Sequence, residues 1–391
     1  MRVGRSRPSL HPVALAAGLF LAGVTAAASP TDGRASAPEI RVLIAQGEKH
    51  SIVRGDDLTV EVETQGGFRK IINRLRGVSF SYSEGRMRLD GSDIRGGRFA
   101  VGSSSGLFNY DGTLMRGREL KRGKVILTAL PDGIAVVNAI PLESYLVGLV
   151  NGEIDSGWPM EAVKAQVIAA RTYALLRMAA GGGVYDVRDD VEDQVYLGPG
   201  GEDERAAAAV RQTRGKALFR AGELVPAFFH SSCGGRTADA GEIWGAPHPA
   251  LVSVECSDCE GSPRSRWDLV LDRVDLQGVL DALFPGSGDI RTLGIQERTG
   301  SGRVKTLFFA TGEGRTLVDG EDFRKEVGYR RLPSTRFTVS GYEGKVLFRG
   351  RGYGHGIGLC QWGAKGAAER GMDHEQILRR YYRGVTIRRA Y

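Results

Sequence analysis

Residues 141–176 read PLESYLVGLVNGEIDSGWPMEAVKAQVIAARTYALL, and this stretch decides the fold. Leu142, Tyr145, Leu146, Leu149 and Val150 recur at the i, i+3, i+4, i+7, i+8 spacing of one buried helix face. Glu153 is the next position on that stripe, at i+11. A carboxylate on an apolar face is disfavoured in its charged form. A carboxyl that keeps its proton near neutral pH is what a general acid needs. The plainer alternative is a solvated carboxylate at a frayed helix end. Asp155-Ser156-Gly157-Trp158 breaks the helix, and Pro159 suits the first position of a second one, where its missing N–H costs nothing. Val163, Val167, Ala170 and Ala174 predict the buried stripe of that helix, and Gly181-Gly182-Gly183 its end. Lys164 and Arg171 are seven apart and share one side at the edge of the apolar face. An arginine there needs a carboxylate or a ligand anion.

Outward from this hairpin, the N-terminus carries Arg2, Arg5 and Arg7, an apolar run from Val13 to Val24 and then Ala26-Ala27-Ala28-Ser29. That order predicts a secretory signal peptide over 1–28, too short to span a bilayer comfortably, and hence export to the periplasm or cell wall. No later segment reads as a membrane span. The formal charge of +7 falls to +4 without those three arginines. No basic run is interleaved with aromatics, which argues against nucleic acid. A polar linker covers 29–38. Residues 39–137 alternate in short apolar runs separated by Gly, Asp and Ser, predicting a strand-rich region. Glu119–Gly123 and Pro131-Asp132-Gly133 are its clearest turn signals.

After the hairpin, Asp186, Asp189, Asp190, Glu192 and Asp193 lack calcium-loop spacing and read as a solvated loop. The four cysteines are Cys233, Cys256, Cys259 and Cys360. His230 and the first three give H-x-x-C followed by C-x-x-C, the ligand set of a tetrahedral Cys3His zinc site. An exported chain with an even cysteine count equally predicts disulfides, in any of three pairings. Further hairpins turn at Gly300-Ser301-Gly302 and Glu343-Gly344, and short helices are expected over 275–284, over Asp319 to Arg324 as a capped helix before Val327, and after a cap at Asp373. Near the C-terminus, Gly350, Gly352, Gly354, Gly356 and Gly358 alternate with Arg351, Tyr353, His355 and Ile357. Such alternation predicts a backbone face open to a flat ligand, with Tyr353 and His355 projecting from the other side. A sugar suits that surface, although a lone histidine is as readily a structural hydrogen-bonder.

The segment IPLESYLVGLVNGEIDSGWPMEAVKAQVIAARTYAL resembles, without gaps, the signature of the SpoIID/LytB family of peptidoglycan-acting lytic transglycosylases. GRGYGHGIGLCQWGA resembles the second signature of that family. The likeness covers 129–386 strongly, and the chain from Glu39 weakly; it departs at Ile154-Asp155, where the family often has Met-Pro. It implies an α+β fold: a strand-rich body with a catalytic helical hairpin, and a core over 138–391. It further implies that Glu153 is a catalytic acid cutting the bond from N-acetylmuramic acid to N-acetylglucosamine, with a 1,6-anhydro product. The candidate substrate contacts are Arg171, Lys164, Tyr173, Gln194, Tyr353, His355 and Gln361. Ordinary glycosidases need two carboxyl groups; one suffices where the sugar's own C6 hydroxyl attacks. The implied partner is the glycan strand. No cofactor is required, with structural zinc as the one candidate. Some relatives bind zinc just after the catalytic helix, but no Cys or His lies between Thr172 and Gly200 here. The LytB branch implies another role, a glycan-binding enhancer or adapter of a cell-wall amidase.

Overall fold

The computed structural model describes residues 37–92, 97–114, 119–181, 183–342 and 344–391. The expected signal peptide and most of the linker, with Gly182 and Glu343 of two expected turns, lie outside them. The protein is α+β, as expected. Its chain forms two compact units, one of residues 37–217 with Ile387–Tyr391 and the other Leu218–Thr386. The division falls at 217/218, so the strands and the helical hairpin lie in one body.

The first unit begins with strands β1 (Glu39–Glu48), β2 (His50–Thr64), β3 (Gly67–Ser83), β4 (Arg86–Leu89), β5 (Arg98–Gly112), β6 (Glu119–Leu130) and β7 (Gly133–Pro141). Helices α1 (Leu142–Glu153) and α2 (Met160–Ala180) follow, then β8 (Val187–Arg188) and α3 (Glu204–Gln212). The eight strands form one sheet in the order β4-β3-β2-β5-β6-β7-β1-β8, antiparallel except where β8 joins β1. Period-2 alternation on either side of a register shift between Arg54 and Leu58 buries one face of β2, with Val53, Leu58 and Val60 fully enclosed. β7 is buried along its whole length up to Pro141. Pro131-Asp132 turns as expected, but Glu119–Gly123 does not: it is strand, pairing with residues 107–110 of β5. Lys121 is tolerated there because its ammonium lies 3.7 Å from the Asp189 carboxylate and over the Tyr196 ring.

The chain enters the second unit within β9 (Lys216–Arg220), which hairpins through Ala221-Gly222 to β10 (Glu223–Leu224). There follow β11 (Phe229–His230), α4 (Ala240–Trp244), β12 (Trp267–Leu271), α5 (Arg273–Leu283), β13 (Ile290–Arg298), β14 (Val304–Thr311) and β15 (Arg315–Asp319). The unit closes with α6 (Gly320–Val327), β16 (Phe337–Tyr342), β17 (Lys345–Gly350), β18 (Leu359–Cys360), α7 (Gln361–Glu369) and α8 (His374–Tyr381), and the chain returns through β19 (Thr386–Arg389). The sheets β13-β14-β15 and β12-β17-β16 share an apolar core in which Leu280, Leu307, Phe309, Phe323 and Phe348 are fully enclosed. Asp319 caps α6, and Asp373 caps α8 with a full capping box closed by Gln376. Such caps contribute about 1 kcal/mol each. Ile377, Leu378 and Tyr381 face inward, as their spacing predicts. Among the described residues no helix is long and apolar enough to cross a membrane.

Candidate functional site

Glu153 is the last residue of α1. The predicted stripe of α1 is sealed: Leu142, Tyr145, Leu146, Leu149 and Val150 have no exposed surface. That packing fixes the helix azimuth and leaves Glu153 half-buried at its end. The Val195 N–H donates to Glu153 Oε1 at 2.7 Å. The loop reaches so close because α1 has glycine at 148 and 152, one turn apart. A Cβ at 152 would lie 2.3 Å from the Val195 carbonyl oxygen, and one at 148 would lie 2.9 Å from that of Gly198. The Leu197 N–H donates to the Gly148 carbonyl at 3.1 Å, pinning the loop along the helix. The sequence signal for this was a Gly-x-x-x-Gly spacing that the stripe reading passed over.

Two phenols adjoin the carboxylate. The Tyr145 hydroxyl donates to Gln194 Oε1 at 3.1 Å, and Gln194 Nε2 donates to the Ala170 carbonyl. Tyr173 donates to the Asp193 carboxylate, whose other oxygen accepts the Arg188 N–H at 2.9 Å. Burial pushes both phenols well above the usual tyrosine range, and the negative charges of Glu153 and Asp193 push the same way. Both therefore stay protonated donors. Two expectations change here. Gln194, expected as a substrate contact, is fully enclosed and bonded to Tyr145 and Ala170, where it supports the site. The acidic loop is not merely solvated: besides Asp193, Asp186 takes three donations from Arg41 at 2.6–3.2 Å.

α2 is enclosed nearly all round from Ala162 to Ala174, where a single stripe was expected. Its alanines let neighbouring elements approach from every side. Arg171 is fully buried and finds its carboxylate inside the protein: Nε and Nη2 donate to Glu143 Oε1 and Oε2, both at 2.9 Å. Nη1 donates to the Lys216 carbonyl at 3.2 Å. Burial alone would raise the Glu143 carboxyl; Arg171, with Tyr391 and the Gly215 N–H, outweighs it and holds the group below its usual range. With no face exposed, Arg171 braces the hairpin from inside as a strut. Lys164 pairs with Glu161 one turn back at 2.7 Å. Gln166, which sequence reasoning passed over, is 1 % exposed, and neither amide atom has a partner among the described residues.

A polar knot fixes the break between the helices. Asp203 caps α3 and accepts from Asn151 Nδ2 and Ser156 Oγ, while the Ser156 N–H donates to Asn151 Oδ1. Arg205 donates to the carbonyls of Ser156 and Trp158, both at 2.8 Å. Pro159 stands one position earlier than expected, as the cap residue of α2, with its carbonyl accepting from Ala162 and Val163.

Tyr353, His355 and Gln361 belong to the second unit. The glycine-stripped face of residues 350–358 is not open to a ligand. A Cβ at Gly356 would meet the Arg303 guanidinium at 2.3 Å, and one at Gly358 the Phe228 carbonyl at 2.1 Å. The chain's own segments fill that face, which is why glycine is needed there. His355 has both nitrogens engaged: Nε2 donates to the Phe229 carbonyl at 2.9 Å, and Nδ1 accepts the Ile357 N–H at 3.1 Å. Burial pushes it down to about 3, so it is neutral at physiological pH. Its ring packs 5.2 Å from that of Trp244. Tyr353 is half-buried and Gln361 is enclosed. The sulfurs of Cys233, Cys256, Cys259 and Cys360 converge in one buried cluster. Cys360, not His230, is its fourth member; His230 Nδ1 instead donates to the Ile357 carbonyl at 3.1 Å. No S–S bond joins any two of the four in this structure.

The fold and site define an α+β protein built around a helical hairpin that presents one oriented carboxylate. The family model described as stage II sporulation protein, SpoIID, matches residues 131–219, which hold the whole hairpin and the loop bonded to Glu153. A second model, described as a domain of unknown function, matches residues 252–358. The chain is 30 % identical to stage II sporulation protein D of Bacillus amyloliquefaciens, over 70 % of its own length and 83 % of that relative. An uncharacterised protein of Brachyspira hyodysenteriae is 31 % identical, over 71 % of the chain and 74 % of the relative. The amidase enhancer of Bacillus subtilis is 29 % identical, and the match spans 62 % of the chain but only 40 % of that longer protein. The chain belongs to the SpoIID family.

Proposed function

We propose that the protein is an exported lytic transglycosylase of peptidoglycan, with Glu153 as its single acid and base. The observation that carries this reading is the carboxylate itself: half-buried, at the end of a sealed helix, with Oε1 held by the Val195 N–H at 2.7 Å. Protonated Glu153 gives its proton to the glycosidic oxygen as the bond from C1 of N-acetylmuramic acid breaks. The C6 hydroxyl of the same sugar then closes on C1 and returns its proton to Glu153. Bonds and protons balance without water, and the product carries a 1,6-anhydro ring. Tyr145 and Tyr173 remain neutral donors through the cycle, holding the Gln194–Val195 loop that orients the carboxylate.

Glu153→Gln keeps size and shape but removes the transferable proton. Release of anhydro-muropeptides from purified glycan strands should fall by about 10²–10⁴, with strand binding and melting temperature nearly unchanged. Wild-type turnover in this variant would refute the mechanism. No anhydro product from the wild type, with binding retained, would move the reading to a non-catalytic enhancer of a cell-wall amidase, the role in the name of the Bacillus subtilis relative.

A further inference from the structure

We propose that the second unit carries a structural zinc ion held by the four thiolates of Cys233, Cys256, Cys259 and Cys360. All four sulfurs lie within 4.8 Å of one another, and Cys233 Sγ is 3.6 Å from Cys259 Sγ. A tetrahedron with Zn–S bonds of about 2.3 Å sets its sulfurs about 3.8 Å apart. Two disulfides would draw the sulfurs into two pairs at about 2.05 Å; here they form one group. A spread this small holds one metal and not a two-iron cluster. Cys256 and Cys259 sit at C-x-x-C spacing across a single 3₁₀ turn, Ser257–Cys259, the usual half of such a site.

The surroundings suit thiolates. The Cys233 and Gly363 N–H groups both donate to Cys360 Sγ at 3.3 Å, and the Tyr381 hydroxyl stands 3.1 Å from Cys256 Sγ. Outer-shell donors of this kind orient metal ligands. A Cβ at Gly363 would lie 2.5 Å from Cys256 Sγ, so glycine is what lets the helix α7 N-terminus reach the cluster.

Charge supplies an independent argument. Zinc with four thiolates carries a formal charge of −2, whereas disulfides and thiols are neutral. Arg303 is fully buried beside the cluster, donating to the Cys233 carbonyl at 3.4 Å. Its Nε has no hydrogen-bond partner, and among the described residues no carboxylate forms an ion pair with it. Half-buried Arg336 donates to the neighbouring Gly234 carbonyl at 2.7 Å. The Glu321 carboxylate acts on Arg303 through its charge but is paired with Arg324 at 3.2 Å; a buried guanidinium with so shared a counter-charge is costly, and the tetrathiolate supplies more. The three ligand-bearing segments, around 233, 256–259 and 360, are far apart in sequence, so the ion cross-links the unit.

The test is metal analysis of the full chain purified without chelator, followed by cobalt substitution. One zinc per chain is expected, with four thiols that become reactive only when zinc is removed. The cobalt form should show tetrahedral ligand-field bands and the sulfur charge-transfer intensity of four thiolates. His230→Ala should leave metal content and spectrum unchanged, while Cys360→Ser should weaken metal binding at least tenfold. A non-reduced mass lighter by four hydrogens without zinc would overturn the proposal in favour of disulfides. A three-thiolate spectrum lost in His230→Ala would overturn it in favour of Cys3His. The spectrum of the wild type decides even if Cys360→Ser does not fold.

Discussion

Arg171→Met separates a strut from a substrate contact. The substitution keeps the aliphatic bulk inside α2 and removes the guanidinium. Two charge-assisted hydrogen bonds at 2.9 Å to Glu143 are lost, with the bond to the Lys216 carbonyl. Removing one partner of a buried ion pair costs about 3–5 kcal/mol, mostly through the charge left behind. Glu143 keeps its bonds from Tyr391 and the Gly215 N–H, so the lower half of that range, about 3–4 kcal/mol, is expected. In calorimetry the transition of the first unit should fall by about 6–16 °C, at about 2–4 °C per kcal/mol. The pH dependence has a definite sign. Glu143 lies below its ordinary value of 4.5 in the folded protein, so the pair stabilises above that pH and its contribution is lost as pH falls further. The gap between wild type and variant should therefore be full at pH 7 and narrow below about 4.5. Replacing both partners, Glu143→Leu with Arg171→Met, should recover most of the stability. A shift under about 1 kcal/mol with glycan binding lost would refute the strut and put Arg171 at the substrate.

Gly152→Ala should cost about 1–3 kcal/mol by overpacking and lower turnover, because its Cβ would displace the Val195 backbone that orients Glu153; urea unfolding and product release check both, and unchanged turnover would detach the loop from catalysis. His355 should show no titration of its ring signals by NMR between pH 8 and pH 5, given its value of about 3. Since the unfolded ring binds a proton near 6.5, stability should be lost as pH falls below that, by about 1.4 kcal/mol per pH unit from this group. A ring that titrates near 6.5 would return His355 to the glycan-contacting role first expected of it.

Helical spacing alone located α1, its sealed stripe and the place of Glu153, since apolar periodicity is a local signal. Hairpin turns and the caps at Asp319 and Asp373 were equally local. What escaped notice depended on partners distant in sequence. Arg171 announced that it needed an anion, but only the fold brings Glu143 to it across 28 residues. Lys121 looked like turn chemistry until Asp189 and Tyr196 made a buried lysine tolerable. The alternating glycines promised an open face, yet Arg303 and the Phe228 carbonyl occupy it. Likewise the C-x-x-C spacing identified half a cluster, while the choice between His230 and Cys360 lay in the tertiary path.

The second unit is spliced into the first: residues 387–391 rejoin the sheet-and-hairpin body after roughly 170 residues spent elsewhere. While the insert is folded, the two ends of that excursion are held by structure. Melted, it becomes a loop whose closure costs about 5 kcal/mol of chain entropy. That load falls on the short returning tail, and Tyr391 is the residue through which it reaches Glu143 and Arg171. The footing of the hairpin is therefore hostage to the integrity of the inserted body. A lesion among the cysteines of the insert should be felt, through connectivity alone, as a loosened anchor beneath Glu153.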